Sequence, residues 1–531
     1  MLNPSTSTAA ALPVSPGGRP LRLPNGWGLA LGAVALVLIL VPMGAAVVFA
    51  PWLPFAMIVL AVLLTGIAVR IDVALGVTLA TIALGVCGDL DDEGTISVTK
   101  IMILVVAGFW FVQALTRKDY HLIRILSRDS PTLFLWLYLL WATASMLWSF
   151  SWGGSLVAVL RVVGLGGMYV IILAIVRSRT NLKLVLMITF IACGLLTVGG
   201  VYEMISHKSV QQFFGRTRAI TVATSSGEKL SSRKYGEFEE SATTRIMAAT
   251  QGTWSRVLTT FGSENEYAAY ILGLLGPAVG FWFVVRRKLH KWLLGGFVFL
   301  IFVNLIGTGS RGGLLSFMAL CFVWLLCARF PLKWPIVALV IPASGAALFL
   351  LPQIFEQFRS GFTMEAITTD PRWYLYQMEL AIWQNRPLTG NGFGTFYLSY
   401  GEYHIPGAPF WPLTGHNVPL QMLAELGVAG SLLWLAICGS VTYGLIWAIR
   451  HSQDRFSWFL SVGLLSSLCS YLLNMLMENS LGHSHFWALL GLCVAWVAIL
   501  RNELTQEGGL SMRPVRTPRS YASPVAGAAH A

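Results

Sequence analysis

The segment GHNVPLQMLAELGVAG, residues 415–430, contains the side chains best suited to chemistry in this sequence. His416 stands where a polar segment gives way to an apolar helical pattern, and Asn417 after it suits a helix N-cap. Asn417, Gln421 and Glu425 are four residues apart, so a helix places them on one face, toward a bundle or a wet cavity. Histidine titrates nearest to neutral pH, so His416 can take a proton from a substrate. The alternative is a capping histidine at a membrane interface.

A second segment, NLIGTGSRGG at residues 304–313, is suited to binding an anion. Arg311 lies in a glycine-rich break between two apolar runs, where glycines let the backbone approach a ligand closely. A helix that begins after the break points its positive end at the same place. An arginine beside a helix N-terminus is therefore a strong anion site. The alternative is an arginine whose charged head reaches the lipid phosphates.

Three further arginines stand beside or within apolar segments. Arg256 precedes the run that re-enters the apolar region, and Arg372 opens an amphipathic stretch. Each of these two is also compatible with an ordinary solvated surface charge. Arg161 lies inside an apolar run, where a charge is costly; an acid such as Glu425 or Glu478 is a candidate partner, but the sequence does not determine which residue pairs with it.

The elements that position these residues are membrane spans. Of 531 residues, 56% are hydrophobic and only 11% are charged, and the mean hydropathy is +0.68. A soluble domain has about 25% charged residues, and a disordered chain is far less apolar. The composition therefore excludes both classes and predicts an all-α, polytopic integral membrane protein with about 12–14 transmembrane helices.

Apolar runs of span length define the helices and their orientation. They begin near Trp27, Trp52, Asp72, Ile101, Thr132, Ser155, Leu184, Asn265, Trp292, Gly313, Trp334, Asn417, Ser457 and Ser484. With this count the short basic loops all fall on one side, which is the cytoplasm by the positive-inside rule. The formal net charge of +12 is thus a topology signal. Because these basic residues are scattered between spans, they do not indicate a nucleic-acid partner.

The domain organisation follows from the same pattern. We predict a flexible cytoplasmic tail at residues 1–26, one transmembrane catalytic domain at residues 27–502, and a second flexible tail at residues 503–531. Two long outer loops, residues 203–264 and 352–415, interrupt the spans. In the second loop, apolar residues at helical spacing predict an amphipathic helix from Arg372 to Gln384, packed over the membrane domain.

The sequence gives no reason to expect a metal or a cofactor. His483 and His485 lie near Glu478, but a metal needs more ligands than these provide. The glycine-rich segment GNGFGTF resembles a dinucleotide fingerprint, but no strand precedes it, and it lies on the outer side of the membrane.

Taken together, these elements resemble the O-antigen ligase and polysaccharide polymerase superfamily of bacterial envelopes. The ligase pattern is His, then Asn, Ser or Gln, then nine residues and Gly-x-x-Gly, matched here by His416, Asn417, Gly427 and Gly430. Arg311 in GSRGG is similar to the family's Ser-Arg-Gly element. The stretch from Arg372 through RPLTGNGFGTF resembles the outer-loop element of the family. Arg256 and Asn265 stand where the family has an Arg and an Asn before a re-entering helix.

The resemblance implies a GT-C-like fold and an inverting, metal-independent glycosyl transfer at the periplasmic face of the bacterial inner membrane. The implied donor is a glycan on undecaprenyl diphosphate, and the acceptor is lipid A–core or another glycan-lipid. Arg256, Arg311 and Arg372 would hold the diphosphate, and His416 would act as the base or hold the diphosphate instead. Asn265, Asn417, Gln421 and Glu425 would line the substrate cavity. Arg311, Arg372 and His416 form the predicted catalytic set.

Three other activities remain open at this point. A polymerase in place of a ligase, or an oligosaccharyltransferase that acts on protein Ser or Thr, would need the same residues. A flippase or other transporter for lipid-linked sugars belongs to a different class. Transporters place polar residues near the bilayer midplane, whereas the arginines and His416 gather here at the outer face, which favours chemistry at the surface.

Overall fold

The computed structural model describes residues 70–88, 97–117, 130–206, 208–211, 257–327, 371–408 and 415–506. The chain divides into two compact units, residues 1–74 and residues 75–531. In the described part of the first unit, the Arg70 guanidinium donates to the carboxylate of Asp72 at 2.7 Å. All other contacts below belong to the second unit.

The regular elements of the described residues are helices. In chain order they are α1 (Ile71–Ala80), α2 (Val98–Arg117), α3 (Ser130–Ala144), α4 (Trp152–Ile175), α5 (Arg179–Ser206), α6 (Glu264–Val284), α7 (Lys288–Thr308), α8 (Arg311–Cys327), α9 (Pro371–Asn385), α10 (Val418–His451), α11 (Arg455–Asn474) and α12 (Ser484–Gln506). Short 3₁₀ segments follow α1 and α3. The prediction of an all-α polytopic membrane protein is therefore confirmed.

Nine of these helices are long and apolar enough to cross a membrane, counted over the described residues alone. The helix that contains Ile71 and the helix α8 are shorter apolar helices. Eleven of the predicted span starts fall in or beside a described helix, and the remaining three, Trp27, Trp52 and Trp334, lie outside the described residues.

Side-chain caps explain where three of the spans begin. The Ser263 side chain accepts from the backbone N–H of Glu266 at the start of α6, and Asp454 accepts from Ser457 at the start of α11. Asn417 accepts from the N–H of Leu420, so the predicted cap of α10 is present. These bonds satisfy N–H groups that have no partner within their own helix.

Two neighbouring, largely buried helices, α6 and α11, pack against each other through small residues. A Cβ added to Gly276 or to Gly463 would collide with the backbone of the other glycine. The Ser467 hydroxyl accepts from the N–H of Gly276 at 3.1 Å and donates to the carbonyl of Leu272 at 2.8 Å. Membrane helices associate through such close backbone approach and interhelical hydrogen bonds. This pair holds the start of α6 and the end of α11 in fixed positions.

Ion pairs join the helix ends at the other side of the bundle. Arg179, at the start of α5, lies 2.7 Å from a carboxylate oxygen of Asp454 and 2.7 Å from one of Glu503. The three residues come from the loop ends of α5, α11 and α12, which therefore meet at one end of the bundle. The start of α6, the end of α11 and the start of α12 consequently lie at the opposite end.

Helix α9 and the glycine-rich turn after it pack on α10, as the amphipathic pattern predicts. Leu375, Met378 and Ile382 are buried on one face of α9, together with Phe396 and Ala424. The turn pairs with the backbone of α10, where the N–H groups of residues 391 and 392 donate to the carbonyls of residues 424 and 425, each at 2.9 Å.

These bonds require a break in α10 at Gly427, where φ is 65° and ψ is −168°. An added Cβ would also collide with the backbone of Leu388 and Thr389. We therefore expect Gly427→Ala to lower the free energy of unfolding by about 3 kcal/mol, because it combines a left-handed backbone with overpacking.

Thermal unfolding in detergent measures this effect. The matched control is Gly439→Ala in the same helix. An added Cβ there has no other atom within 4 Å, so we expect this variant to keep the stability of the wild type. Equal melting temperatures for the two variants would show that the break does not need glycine.

Candidate functional site

A chain of hydrogen bonds joins three helix ends at the end of the bundle that contains the start of α6. The N–H of Gly313 donates to the Ser310 hydroxyl at 2.9 Å, and that hydroxyl donates to Asn265 Oδ1 at 2.6 Å. The Asn265 Nδ2 group then donates to Glu478 Oε2 at 2.7 Å. The glycine-rich break before α8, the start of α6 and the loop after α11 are thus held as one unit.

His416 lies against the last member of this chain. Its Nδ1 atom is 3.6 Å from Glu478 Oε2, and the residue is 8% exposed. The N–H of Val418 donates to the Met475 carbonyl at 2.9 Å, and the Asn417 amide donates to the Leu476 carbonyl at 3.2 Å. Asn417 therefore both caps α10 and attaches the residue beside it to the loop that contains Glu478.

Glu478 carries a negative charge beside His416 at neutral pH. Burial raises the pKa of Glu478, but the adjacent His416 imidazole, the charge of Arg372 and the hydrogen bond from Asn265 together lower that pKa to about 2. A carboxylate fixed next to an imidazole sets the orientation of the ring.

The low pKa of Glu478 predicts acid sensitivity. The usual pKa of this carboxyl is 4.5, so its contribution to folding is complete above pH 4.5 and is lost as the pH falls toward 2. We expect the free energy of unfolding of the wild type to fall by about 3 kcal/mol over this range. The Glu478→Gln variant should not show this fall. Unfolding in detergent as a function of pH measures the difference, and Glu402→Gln, at an exposed carboxylate, is the control. Parallel stability curves for wild type and Glu478→Gln would contradict this assignment.

Two of the arginines predicted to bind an anion lie at helix starts near the segment that contains Glu478. Arg311 is the first residue of α8, directly after Ser310. A Cβ added to Gly312 would lie 3.3 Å from Met477 Sδ, so the start of α8 touches the residue before Glu478. Arg372 is the second residue of α9, and its charge acts on Glu478. Arg256 lies outside the described residues.

Glu425 and Gln421 lie on the face of α10 that meets the glycine-rich turn. Glu425 is buried and accepts from the N–H groups of Gly394 at 2.8 Å and Phe396 at 3.2 Å. It also accepts from the Gln421 amide at 3.0 Å. The carboxylate of Glu425 thus positions the turn. Arg161 is exposed on α4, and among the described residues it forms no ion pair with Glu425 or Glu478, the two acids named as candidate partners.

One group among the described residues could hold a metal ion. The ligand atoms of Glu266, His483 and His485 lie within 4.8 Å of one another. Glu266 Oε2 accepts from the N–H of Gly262 at 3.1 Å, and the His485 ring packs edge-on against Phe261. Through these contacts Glu266 and His485 take part in the packing of α6 against the start of α12. That no metal takes part in the chemistry stays a prediction.

Two buried polar residues near these helix ends, Ser310 and Glu379, are ones that the sequence did not single out as functional. Ser310 stands at an N-cap position before α8, which was a usable signal. Glu379 lies on the apolar face of α9 between Met378 and Ile382, and a charge on such a face is also a signal.

The site combines a fixed carboxylate, an adjacent imidazole and two arginines at the ends of three helices and a loop. Guanidinium groups bind phosphate oxygens in two places, and an imidazole can accept a proton from a hydroxyl. The arrangement is therefore equipped to bind a phosphate-bearing substrate and to activate a hydroxyl beside it.

The sequence matches a known protein family over part of its length. Residues 295–435 match the family model described as O-antigen ligase, a range that includes Arg311, Arg372 and His416. No curated protein matches the chain.

Proposed function

We propose, on the premise that the chain is a member of the O-antigen ligase and polysaccharide polymerase superfamily, that it is a membrane glycosyltransferase of bacterial envelope polysaccharide assembly. It transfers or polymerises a glycan from undecaprenyl diphosphate onto the hydroxyl of an acceptor sugar, by an inverting reaction without a metal. The acceptor is lipid A–core for an O-antigen ligase, or a second lipid-linked glycan for an exopolysaccharide or O-antigen polymerase.

One observation carries this proposal. The start of α8 with Arg311, the start of α9 with Arg372, and His416 all lie near Glu478. The hydrogen-bond chain from Ser310 through Asn265 ends on Glu478, next to His416. Residues more than one hundred positions apart along the sequence thereby reach one carboxylate. A transporter would instead need its polar groups near the middle of the spans.

The leaving group explains why arginines suit the donor. As the glycosidic bond breaks, negative charge grows on the oxygen of the lipid diphosphate. Fixed cations stabilise that charge more in the transition state than in the ground state, and this difference accelerates the reaction. Arg311 and Arg372 serve this role, with Arg256 as a third member. Arginine cannot lose its proton at working pH, so the charge is always present.

His416 suits the acceptor side of the reaction. The acceptor hydroxyl oxygen forms a bond to the anomeric carbon as the bond from that carbon to the diphosphate breaks. The hydroxyl proton passes to the His416 imidazole, and undecaprenyl diphosphate leaves. Glu478 stabilises the imidazolium that results. A positioned base contributes on the order of 10²–10⁴-fold to the rate.

The distribution of basic residues supports a periplasmic site in the inner membrane. The end of the bundle that contains Arg179 is also the end where α6 gives way to α7, through Arg286, Arg287 and Lys288. Basic loops remain in the cytoplasm, so this end is cytoplasmic and the site at the other end faces the periplasm.

The test is a transfer assay with the purified full-length protein in lipid nanodiscs. Lipid-linked repeat units are offered alone, with lipid A–core, or with an acceptor protein. Longer lipid-linked glycan from the donor alone identifies a polymerase, glycan on lipid A–core identifies a ligase, and glycan on protein identifies an oligosaccharyltransferase. Movement of the intact donor across the membrane without transfer would identify a flippase and end the proposal.

A further inference from the structure

A buried carboxyl group lies beside the proposed site and takes no part in the chemistry above. Glu379, on α9, is 1% exposed. Neither of its carboxyl oxygens has a hydrogen-bond partner within the ranges that the structure describes. Leaving a buried carboxyl without partners is costly, so a group of this kind calls for an explanation.

Gln421 presents a second acceptor of the same kind. Its Nε2 group donates to the carboxylate of Glu425 at 3.0 Å. That bond fixes the orientation of the amide, because the oxygen cannot face a carboxylate that accepts two backbone N–H groups as well. The oxygen Oε1 of Gln421 therefore points away from Glu425, and it too is buried without a partner among the described residues.

The two acceptors converge at the backbone of Gly415. A Cβ added to this glycine would collide with Glu379 Oε1 and would lie 3.2 Å from Gln421 Oε1. Gly415 is bonded directly to His416, the proposed base. Glu379 Oε1 and Gln421 Oε1 thus face one point, one residue along the chain from the imidazole.

We propose that Glu379 and Gln421 form a subsite for the sugar hydroxyls of the acceptor glycan. This inference rests on the proposed function, since it identifies where that reaction's acceptor binds. Acceptor atoms need donors, and a sugar ring supplies several hydroxyl groups. A lipid diphosphate has only acceptor oxygens, so it cannot satisfy them and belongs on the side of Arg311 and Arg372.

The ionisation of Glu379 is compatible with this role. Burial, and then the negative charge of Glu425, raises the pKa of Glu379 well above its usual range. A protonated carboxyl donates one hydrogen bond and still accepts from a ligand through its second oxygen. The subsite therefore keeps an open acceptor whether or not Glu379 carries a proton.

The test measures binding of sugars that lack lipid and diphosphate. The probes are two oligosaccharides from the host cells: the released repeat unit and the released lipid A–core glycan. Titration calorimetry with the full-length protein in nanodiscs gives their Kd values. We expect Glu379→Leu to weaken binding of the acceptor glycan about 10-fold or more, because leucine has a similar volume but offers no acceptor oxygen to a sugar hydroxyl. The Kd for inorganic pyrophosphate should not change.

Controls separate this role from a structural one. Glu402→Gln, at an exposed carboxylate of the same outer segment, should leave all three Kd values as in wild type. If Glu379→Leu fails to fold, Gln421→Ala removes the second acceptor and should weaken binding of the same glycan. Unchanged glycan binding in a folded variant, or a wild-type protein that binds neither oligosaccharide, would overturn the subsite.

The outcomes also separate this inference from the proposed function. A protein that transfers glycan normally but binds acceptor glycan independently of Glu379 and Gln421 has the function without the subsite. A protein that binds the oligosaccharide through Glu379 but transfers nothing has the subsite without the function.

Discussion

Arg311→Ala should lower the rate of glycan transfer by about 10²–10³-fold while the protein folds and inserts normally. The guanidinium sits at the start of α8, where backbone N–H groups and the helix dipole also favour an anion. Its removal takes a fixed positive charge from the leaving diphosphate at the moment when charge develops there. The measurement is the transfer assay in nanodiscs under saturating donor.

Two variants sharpen this result. Arg311→Lys keeps the charge but cannot contact two phosphate oxygens at once as a guanidinium does. We therefore expect its transfer rate to lie between those of wild type and Arg311→Ala. Arg161→Ala is the matched control, because Arg161 is exposed on α4. Wild-type rates in folded Arg311→Ala would remove this residue from the mechanism.

His416→Ala should lower the transfer rate by about 10²–10⁴-fold, the usual contribution of a positioned base. The imidazole is buried beside Glu478. The next residue, Asn417, caps α10 with its own side chain, so the backbone around His416 does not depend on the imidazole. The measurement is single-turnover transfer with donor and acceptor both bound, which separates chemistry from binding.

His416→Gln decides which of two roles this residue has. Glutamine can donate a hydrogen bond to a diphosphate but cannot take a proton at neutral pH. If His416 is the base, His416→Gln is as slow as His416→Ala and binds the donor as wild type does. If His416 holds the diphosphate, His416→Gln recovers part of the rate, and His416→Ala raises the Kd of the donor.

The positions of the helices could be predicted because they follow from local pattern. The amphipathic stretch predicted from Arg372 to Gln384 is the helix Pro371–Asn385, and Asn417 caps α10. Apolar length determines a span, spacing of apolar residues determines a face, and a capping side chain determines a start. All three are properties of a few neighbouring residues.

The partners of the polar side chains could not be predicted in this way. Helical spacing placed Gln421 and Glu425 on one face, but it could not show that the glycine-rich turn lies against that face and donates to Glu425. The link from Ser310 through Asn265 to Glu478 joins three distant segments. Which helix ends meet depends on the packing of the whole bundle, and periodicity in one segment contains no information on that.

The most direct measurement of the central claim is an experimental structure of the full-length protein with undecaprenyl diphosphate bound. We expect the diphosphate oxygens to lie about 3 Å from the guanidinium groups of Arg311 and Arg372, with the His416 imidazole facing the position of the sugar. A diphosphate bound away from these arginines, or at the end of the bundle that contains Arg179, would contradict the account.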